Sequence, residues 1–188
     1  MKLPAIVILA TILYLNLVKG ETKSYIVTND RLDNIESEEE SLMIFDVQMV
    51  KRERFINGTV AVLEDFDDEQ FEFMVEMFTS QNSDGNYQRM AFGIPKTRMC
   101  EGLQKFYAKF VQPSMVFGEN TNFPYVDEEE GLCPLPKGKY WFREILLDTE
   151  PWPTQFPRGL LKLVVTMYKN DLVVGGAIAI LKIEDRPT

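Results

Sequence analysis

The chain has 188 residues, 29 Asp and Glu against 20 Lys and Arg, a net charge of −9 at pH 7, and no histidine. So acidic a balance opposes nucleic acid or an anionic membrane surface as a primary partner. The missing imidazole excludes Ser-His-Asp and Cys-His triads, and any zinc site that needs histidine.

In chain order, Met1-Lys2 is a short basic head, and Leu3 to Val18 is apolar apart from Thr11 and Asn16. That run is shorter than the roughly 20 residues of a bilayer helix. Small residues near Gly20 supply a cleavage site, so residues 1–20 are expected to be a secretory signal peptide. Losing Lys2 and Lys19 with it makes the remaining chain more acidic still. Residues 21–40 are polar, with Glu36 to Glu40 nearly continuous. They read as a loosely held acidic segment to which Tyr25-Ile26-Val27 adds at most a short edge strand. Residues 41–188 read as a single domain, long enough for a sizeable core.

Leu42 to Lys51 alternates along a strand. Phe55-Ile56-Asn57-Gly58-Thr59-Val60 follows, and Asn-Gly between apolar runs is a strong hairpin signal because both residues tolerate positive φ. The same triplet, Asn57-Gly58-Thr59, is an N-glycosylation sequon, so Asn57 is expected at an exposed hairpin tip carrying a glycan. Val60 to Leu63 is the return strand. In the acidic stretch Glu64 to Glu69, Asp65, Asp67 and Glu69 have the spacing that begins a calcium loop. The glycine that should follow is missing, and a solvated turn is the expectation.

Phe71, Phe73, Val75 and Met77 then share one strand face, with Glu72 and Glu76 on the other. A turn at Ser80 to Asn86 leads to a weaker strand, Tyr87 to Pro95. From Arg98 to Val111, Leu103, Phe106, Tyr107 and Phe110 recur at helical spacing, with Thr97 placed to cap and Pro113 to stop the helix. Cys100 lies in its first turn. Cys100 and Cys133 are the chain's two cysteines, and an even pair in a secreted chain predicts one disulfide. Residues 112–132 read as a long connection.

Lys139 to Leu147 is the next strand, with Tyr140 and Phe142 on one face. Asp148 to Gly159 carries Pro151, Pro153 and Pro157, which deny it a ladder role, yet it holds Trp152 and Phe156. Such a loop either plugs a core or rims a binding site. Leu160–Tyr168 and Leu172–Ile183, split by Lys169-Asn170-Asp171, read as a closing hairpin. The count of seven to nine short strands with one helix predicts a mainly β fold, an antiparallel β-sandwich or β-cup with an apolar cavity.

A set of local features recurs in a recognisable order: Asn57-Gly58-Thr59, Leu63-Glu64-Asp65-Phe66, Phe92-Gly93-Ile94-Pro95, the Cys100 helix, Thr121-Asn122-Phe123-Pro124, Cys133-Pro134-Leu135-Pro136-Lys137-Gly138-Lys139-Tyr140, Trp152-Pro153, Pro157-Arg158-Gly159 and Val174-Gly175-Gly176. In that order the chain resembles the insect chemosensory CheB proteins and their wider insect relatives. These are similar to the ganglioside-activator branch of the ML lipid-recognition superfamily. The resemblance covers about residues 40–185. It implies a secreted β-cup for a lipid or hydrocarbon, with a role in taste or pheromone detection and a sensory receptor or channel as partner. The chain departs from ganglioside activators in having one cysteine pair where they have several disulfides.

The residues themselves favour a binder over an enzyme. No cofactor or metal site is expected, and nothing in the spacing of the carboxylates singles out a glycosidase-like pair. The aromatic content of 12% and the nine methionines suit an adaptable apolar interior, or simply fill a core. The expected lining is Phe71, Phe73, Val75, Met77, Tyr140, Phe142, Trp152, Phe156, Gly175, Ala177 and Ala179. The last three are small residues that would leave room for an apolar small molecule. A carboxylate-based hydrolase and an extracellular interaction module without a cavity remain the alternatives.

Overall fold

The computed structural model describes residues 23–127 and 129–187; the expected signal peptide lies outside them. Nine strands follow in order: β1 (Tyr25–Asn34), β2 (Met43–Val50), β3 (Phe55–Val62), β4 (Phe71–Ser80), β5 (Gln88–Arg89), β6 (Ile94–Arg98), β7 (Gly138–Ile145), β8 (Gly159–Lys169) and β9 (Leu172–Asp185). They form one sheet in the order β5-β4-β8-β9-β2-β3-β7, with β1 added to β9 and β6 to β4. The pairings are antiparallel except for a short parallel contact of Met43 with Gly175. The sheet turns over on itself at that junction. Val60, Val62 and Tyr140 from one half enter the same core as Phe71, Phe73, Val75 and Met167 from the other.

The β8–β9 hairpin is as read: Asn170 and Asp171 take positive φ, which a tight turn between right-twisted strands requires. The Asn57-Gly58 reading is corrected. The β2–β3 turn is Lys51–Arg54, with Lys51 and Arg54 at positive φ, and Asn57 sits mid-strand opposite Gln48. Gly58 is needed for close approach, since a β-carbon there would sit 2.2 Å from the Asp46 carbonyl oxygen.

The loosely held N-terminal segment is also corrected. Residues 25–34 form a full strand along β9, and Tyr25 and Asn29 are buried. The strand holds because it continues the sheet edge, a partner that its own polar sequence does not announce.

The helix runs as α1 (Met99–Gly102), a π-turn (Leu103–Tyr107) and α2 (Ala108–Phe110), followed by a 3-10 turn (Gln112–Ser114). Thr97 does not cap it; its hydroxyl donates to the Pro95 carbonyl. The cap comes from Asp68, whose carboxylate accepts from the Cys100 N–H at 2.6 Å. Asp65 likewise accepts from Lys137 N–H, and Asp67 from Glu69 and Gln70 N–H. The acidic stretch is therefore a set of backbone anchors more than a solvated turn. Cys100 and Cys133 are bridged, as expected, with Cα atoms 5.3 Å apart.

The connection after the helix enters the core. Phe123 and Val126 are buried, and Gln112 holds Val126 by donating to its carbonyl and accepting from its N–H. Phe123 packs against Tyr107, Tyr140 and Phe142 at ring distances of 5.0, 4.9 and 6.3 Å.

Candidate functional site

The inner faces of the folded sheet follow from register. On β4, Phe71, Phe73, Val75 and Met77 lie opposite Lys169, Met167, Val165 and Leu163 of β8. The last three of these lie opposite Gly175, Ala177 and Ala179 of β9. Directly opposed residues share a face, so the two sequence-predicted groups, on β4 and β9, belong to one continuous surface. The facing half is built from Met43, Phe45, Val47 and Met49 of β2, paired with Val62, Val60, Gly58 and Ile56 of β3. Tyr140 and Phe142 continue it opposite Val60 and Gly58.

One end of the space between these faces is filled. Phe66 and Phe71 stack at 4.4 Å, and Phe66 pairs with Leu135 through reciprocal backbone bonds. Phe66, Phe71, Val62, Met99, Val126 and Leu135 are each 2% exposed or less. Phe73 packs against Gly102 of α1, and Val75 and Tyr140 are buried in the same cluster. These candidates are core.

The other end is different. Met77, Leu163, Val165, Ala179, Phe45, Val47, Met49, Ile56 and Phe142 all face inward by register, yet all are only half-buried. The inward apolar side chains at this end therefore keep accessible surface that those of the first end do not. Met77 joins the two clusters: it packs on the main core and also on the group of Tyr25, Leu161, Leu181 and Ile183.

Trp152 and Phe156 pack on that second group, with ring centroids 6.0 Å apart. The proline loop is pinned there by the start of β1 and the two residues before it. Tyr25 hydroxyl donates to the Pro153 carbonyl at 2.7 Å, Lys23 donates to the Trp152 carbonyl, and Arg158 donates to the Ser24 carbonyl and hydroxyl. Trp152 indole N–H reaches the Phe110 carbonyl at the helix end. The loop thus closes one side of the interior.

The expectation of space at Gly175 is corrected. A β-carbon there would sit 2.9 Å from the Met43 carbonyl oxygen, so the glycine admits the β2 backbone and leaves no room for a ligand.

Burial raises the phenol pKa of Tyr107 strongly, and those of Tyr25 and Tyr140 less. Asp84 and Asp127 are held below the usual carboxylate range by hydrogen bonds from nearby backbone N–H groups, and Glu101 by Lys105. That is the opposite of the upward shift a general acid needs. Asp68, Cys100 and Cys133 lie together, but both sulfurs are in the disulfide and offer no thiolate to a metal. Among the described residues no helix is long and apolar enough to cross a membrane.

Sequence reasoning read the alternation of β2 but left its face out of the expected lining, and it missed the buried Phe123 and Asn29. The alternation of Met43, Phe45, Val47 and Met49 was the available signal for the first. The other two depend on contacts far apart in the chain.

Residues 73–163 match a family described as a protein of unknown function (DUF1091). The match begins inside β4, takes in the helix, the disulfide, β7 and the proline loop, and ends inside β8. No curated protein matches the chain.

Proposed function

We propose that the chain is a secreted carrier that holds the apolar chain of a lipid or hydrocarbon between the two halves of its sheet. The observation that carries this reading is the half-buried, inward apolar surface formed by Met77, Leu163, Val165, Phe45, Val47, Met49 and Phe142. Burying an alkyl chain against such a surface contributes about 0.8 kcal/mol per methylene. A dozen carbons then reach roughly micromolar affinity after the losses of freedom on binding. The resemblance to CheB proteins and to ganglioside activators supports a chemosensory setting, with a receptor or channel downstream. The leader-like residues 1–20 and the disulfide support an extracellular one.

Mass spectrometry of lipids that co-purify with the protein from a eukaryotic secretion host tests the reading. A stoichiometric long-chain species is the expected result. A delipidated protein that binds no long-chain probe saturably would overturn it.

A second reading rests on the connection between the helix and β7. Phe117 and Tyr125 are 66% and 64% exposed, and Val116 beside them is exposed too. Exposed aromatics of this kind suit a protein contact. The interaction-module reading takes over if lipid binding fails.

A further inference from the structure

We propose that the gap between β1 and β2 is the mouth of this lipid site, and that the bound molecule carries a hydroxyl there which donates to Asn29; the ligand class is a neutral long-chain alcohol. The inference rests on the carrier reading above. It starts from a fault in the sheet. β1 and β2 both border β9, β1 along Ala177 to Asp185 and β2 only at Gly175. Asn34 ties them where they meet, donating to the Phe45 carbonyl and accepting from the Phe45 N–H, both at 2.7 Å. Beyond Asn34 the strands part, and a cavity of about 270 Å³ lies between Asp30, Arg31 and Leu32 on one side and Val47, Gln48 and Met49 on the other, with Arg54 at its end. Val47 and Met49 belong to the inward face of β2, and Leu32 lies opposite the inward Ala179, so the gap leads to the apolar interior.

The head that suits this mouth is set by two things. First, its cations are already matched. Arg54 pairs with Asp30 and donates to the Asn29 and Asp30 carbonyls, and Arg31 pairs with Asp33. A carboxylate head would find no spare positive charge. Second, Asn29 offers an acceptor. It lies opposite Leu181 on the inward face and is 2% exposed. Its Nδ2 donates to the Arg54 carbonyl at 3.0 Å and the Ile145 carbonyl at 3.3 Å, which uses both amide hydrogens and fixes the orientation. Its Oδ1 is buried and has no hydrogen-bond partner among the described residues. Buried acceptors of this kind are nearly always paired. An alcohol O–H can supply the missing donor, whereas an alkane, an ether or a carboxylate cannot.

The test uses the delipidated full-length secreted protein loaded with N-phenyl-1-naphthylamine, displaced by dodecan-1-ol or by 1-methoxydodecane. The alcohol should bind about five- to tenfold more tightly, as one net neutral hydrogen bond provides. Asn29→Leu should lower alcohol affinity to that of the ether and leave the ether unchanged. Met49→Trp, which fills the gap without touching the Asn29 bonds, should weaken both. Equal affinities for alcohol and ether overturn the proposal and leave the carrier reading standing. So does undiminished binding by Met49→Trp. If the wild type binds neither the naphthylamine nor any dodecyl ligand, the carrier reading falls and takes this proposal with it. Should Asn29→Leu not fold, the wild-type ligand pair and Met49→Trp still decide.

Discussion

The ring of Phe73 occupies the place where a side chain at Gly102 would go: a β-carbon there would lie 1.7 Å from Phe73 Cε1. The first turn of the helix therefore rests directly on the inner face of β4. Gly102→Ala should force the stiff ring out of its position and lower stability by about 1–3 kcal/mol, the usual scale for overpacking. Denaturant unfolding measures it. Phe73→Leu in the Gly102→Ala background should recover part of the loss; a neutral Gly102→Ala would mean the helix does not dock as described.

The disulfide fastens the same helix from the other side. Cys100 and Cys133 are 33 residues apart in sequence, and a loop of that size gives roughly 3–4 kcal/mol in the chain-entropy account. The double change to serine should lower Tm by about 10 °C in a chain of this size. Asp68 still caps the helix and Phe73 still supports it, so the variant should keep its far-ultraviolet circular dichroism at 25 °C. Non-reducing peptide mapping should find the two cysteines joined in the wild type.

Strands with strict alternation were legible wherever their partners lie, because alternation alone defines their faces: Phe71, Phe73 and Val75 on β4 are buried as their period requires, although β4 pairs with the distant β8. The β8–β9 turn was legible because Asn170 and Asp171 tolerate left-handed backbone. Asn57-Gly58 misled for a physical reason. Glycine serves positive φ in a turn and close backbone approach in a strand equally well, and here it serves the second while Lys51 and Arg54 make the turn. Gly175 misled in the same way, as space for a ligand. Asp68 at the helix start and Tyr25 on the proline loop act across 32 and 128 residues, beyond any local pattern. Of the candidate site, the β4 and β9 faces could be read, but their buried and half-buried ends could not. That division is made by Phe123, Phe66 and Leu135, which arrive from loops.

Asn57 remains a predicted glycan site, now on the outward face of β3. Its Oδ1 accepts from the Glu144 N–H at 2.5 Å, so the side chain also supports the β3–β7 pairing. An amidase that removes N-glycans should shift the mass of the secreted protein, and Asn57→Gln should abolish the shift. The variant should also lose about 1 kcal/mol through the disturbed hydrogen bond. An unshifted wild-type band would show the sequon to be unused.

Three tyrosines, Tyr25 and Tyr140 buried and Tyr107 partly so, set an alkaline limit on stability. Burial raises the Tyr107 phenol strongly and those of Tyr25 and Tyr140 in the same direction. A phenol whose folded pKa lies above its unfolded value of about 10 stabilises the fold fully below that pH. The contribution is lost as pH rises toward the folded pKa. Unfolding free energy should therefore be flat from neutral pH to about pH 9 and fall above about pH 10. Tyrosinate absorbance near 295 nm should appear together with the loss of structure. Tyr107→Phe should flatten the fall, at the cost of its contact with Met115 Sδ.

The two ends of the interior predict a separation of binding from stability. Phe73 is buried against Gly102 in the filled end, and its truncation opens a cavity worth about 3–5 kcal/mol. Phe73→Ala should lower Tm steeply while the folded fraction keeps its affinity for N-phenyl-1-naphthylamine. Trp152 is half-buried on a loop that borders the half-buried end, where Met77 packs on both clusters. Trp152→Ala removes one wall of that space together with a single 3.3 Å bond to Phe110, so it should cost less stability and more affinity. Tyr25→Phe removes one of the loop's ties, the bond to Pro153, without touching its aromatic residues, and leaves the Lys23 and Arg158 bonds in place. It should speed probe release while leaving the melting temperature within a few degrees of the wild type. If Phe73→Ala and Trp152→Ala change affinity and melting temperature in the same proportion, the interior behaves as one solid core and no lipid is held between its halves.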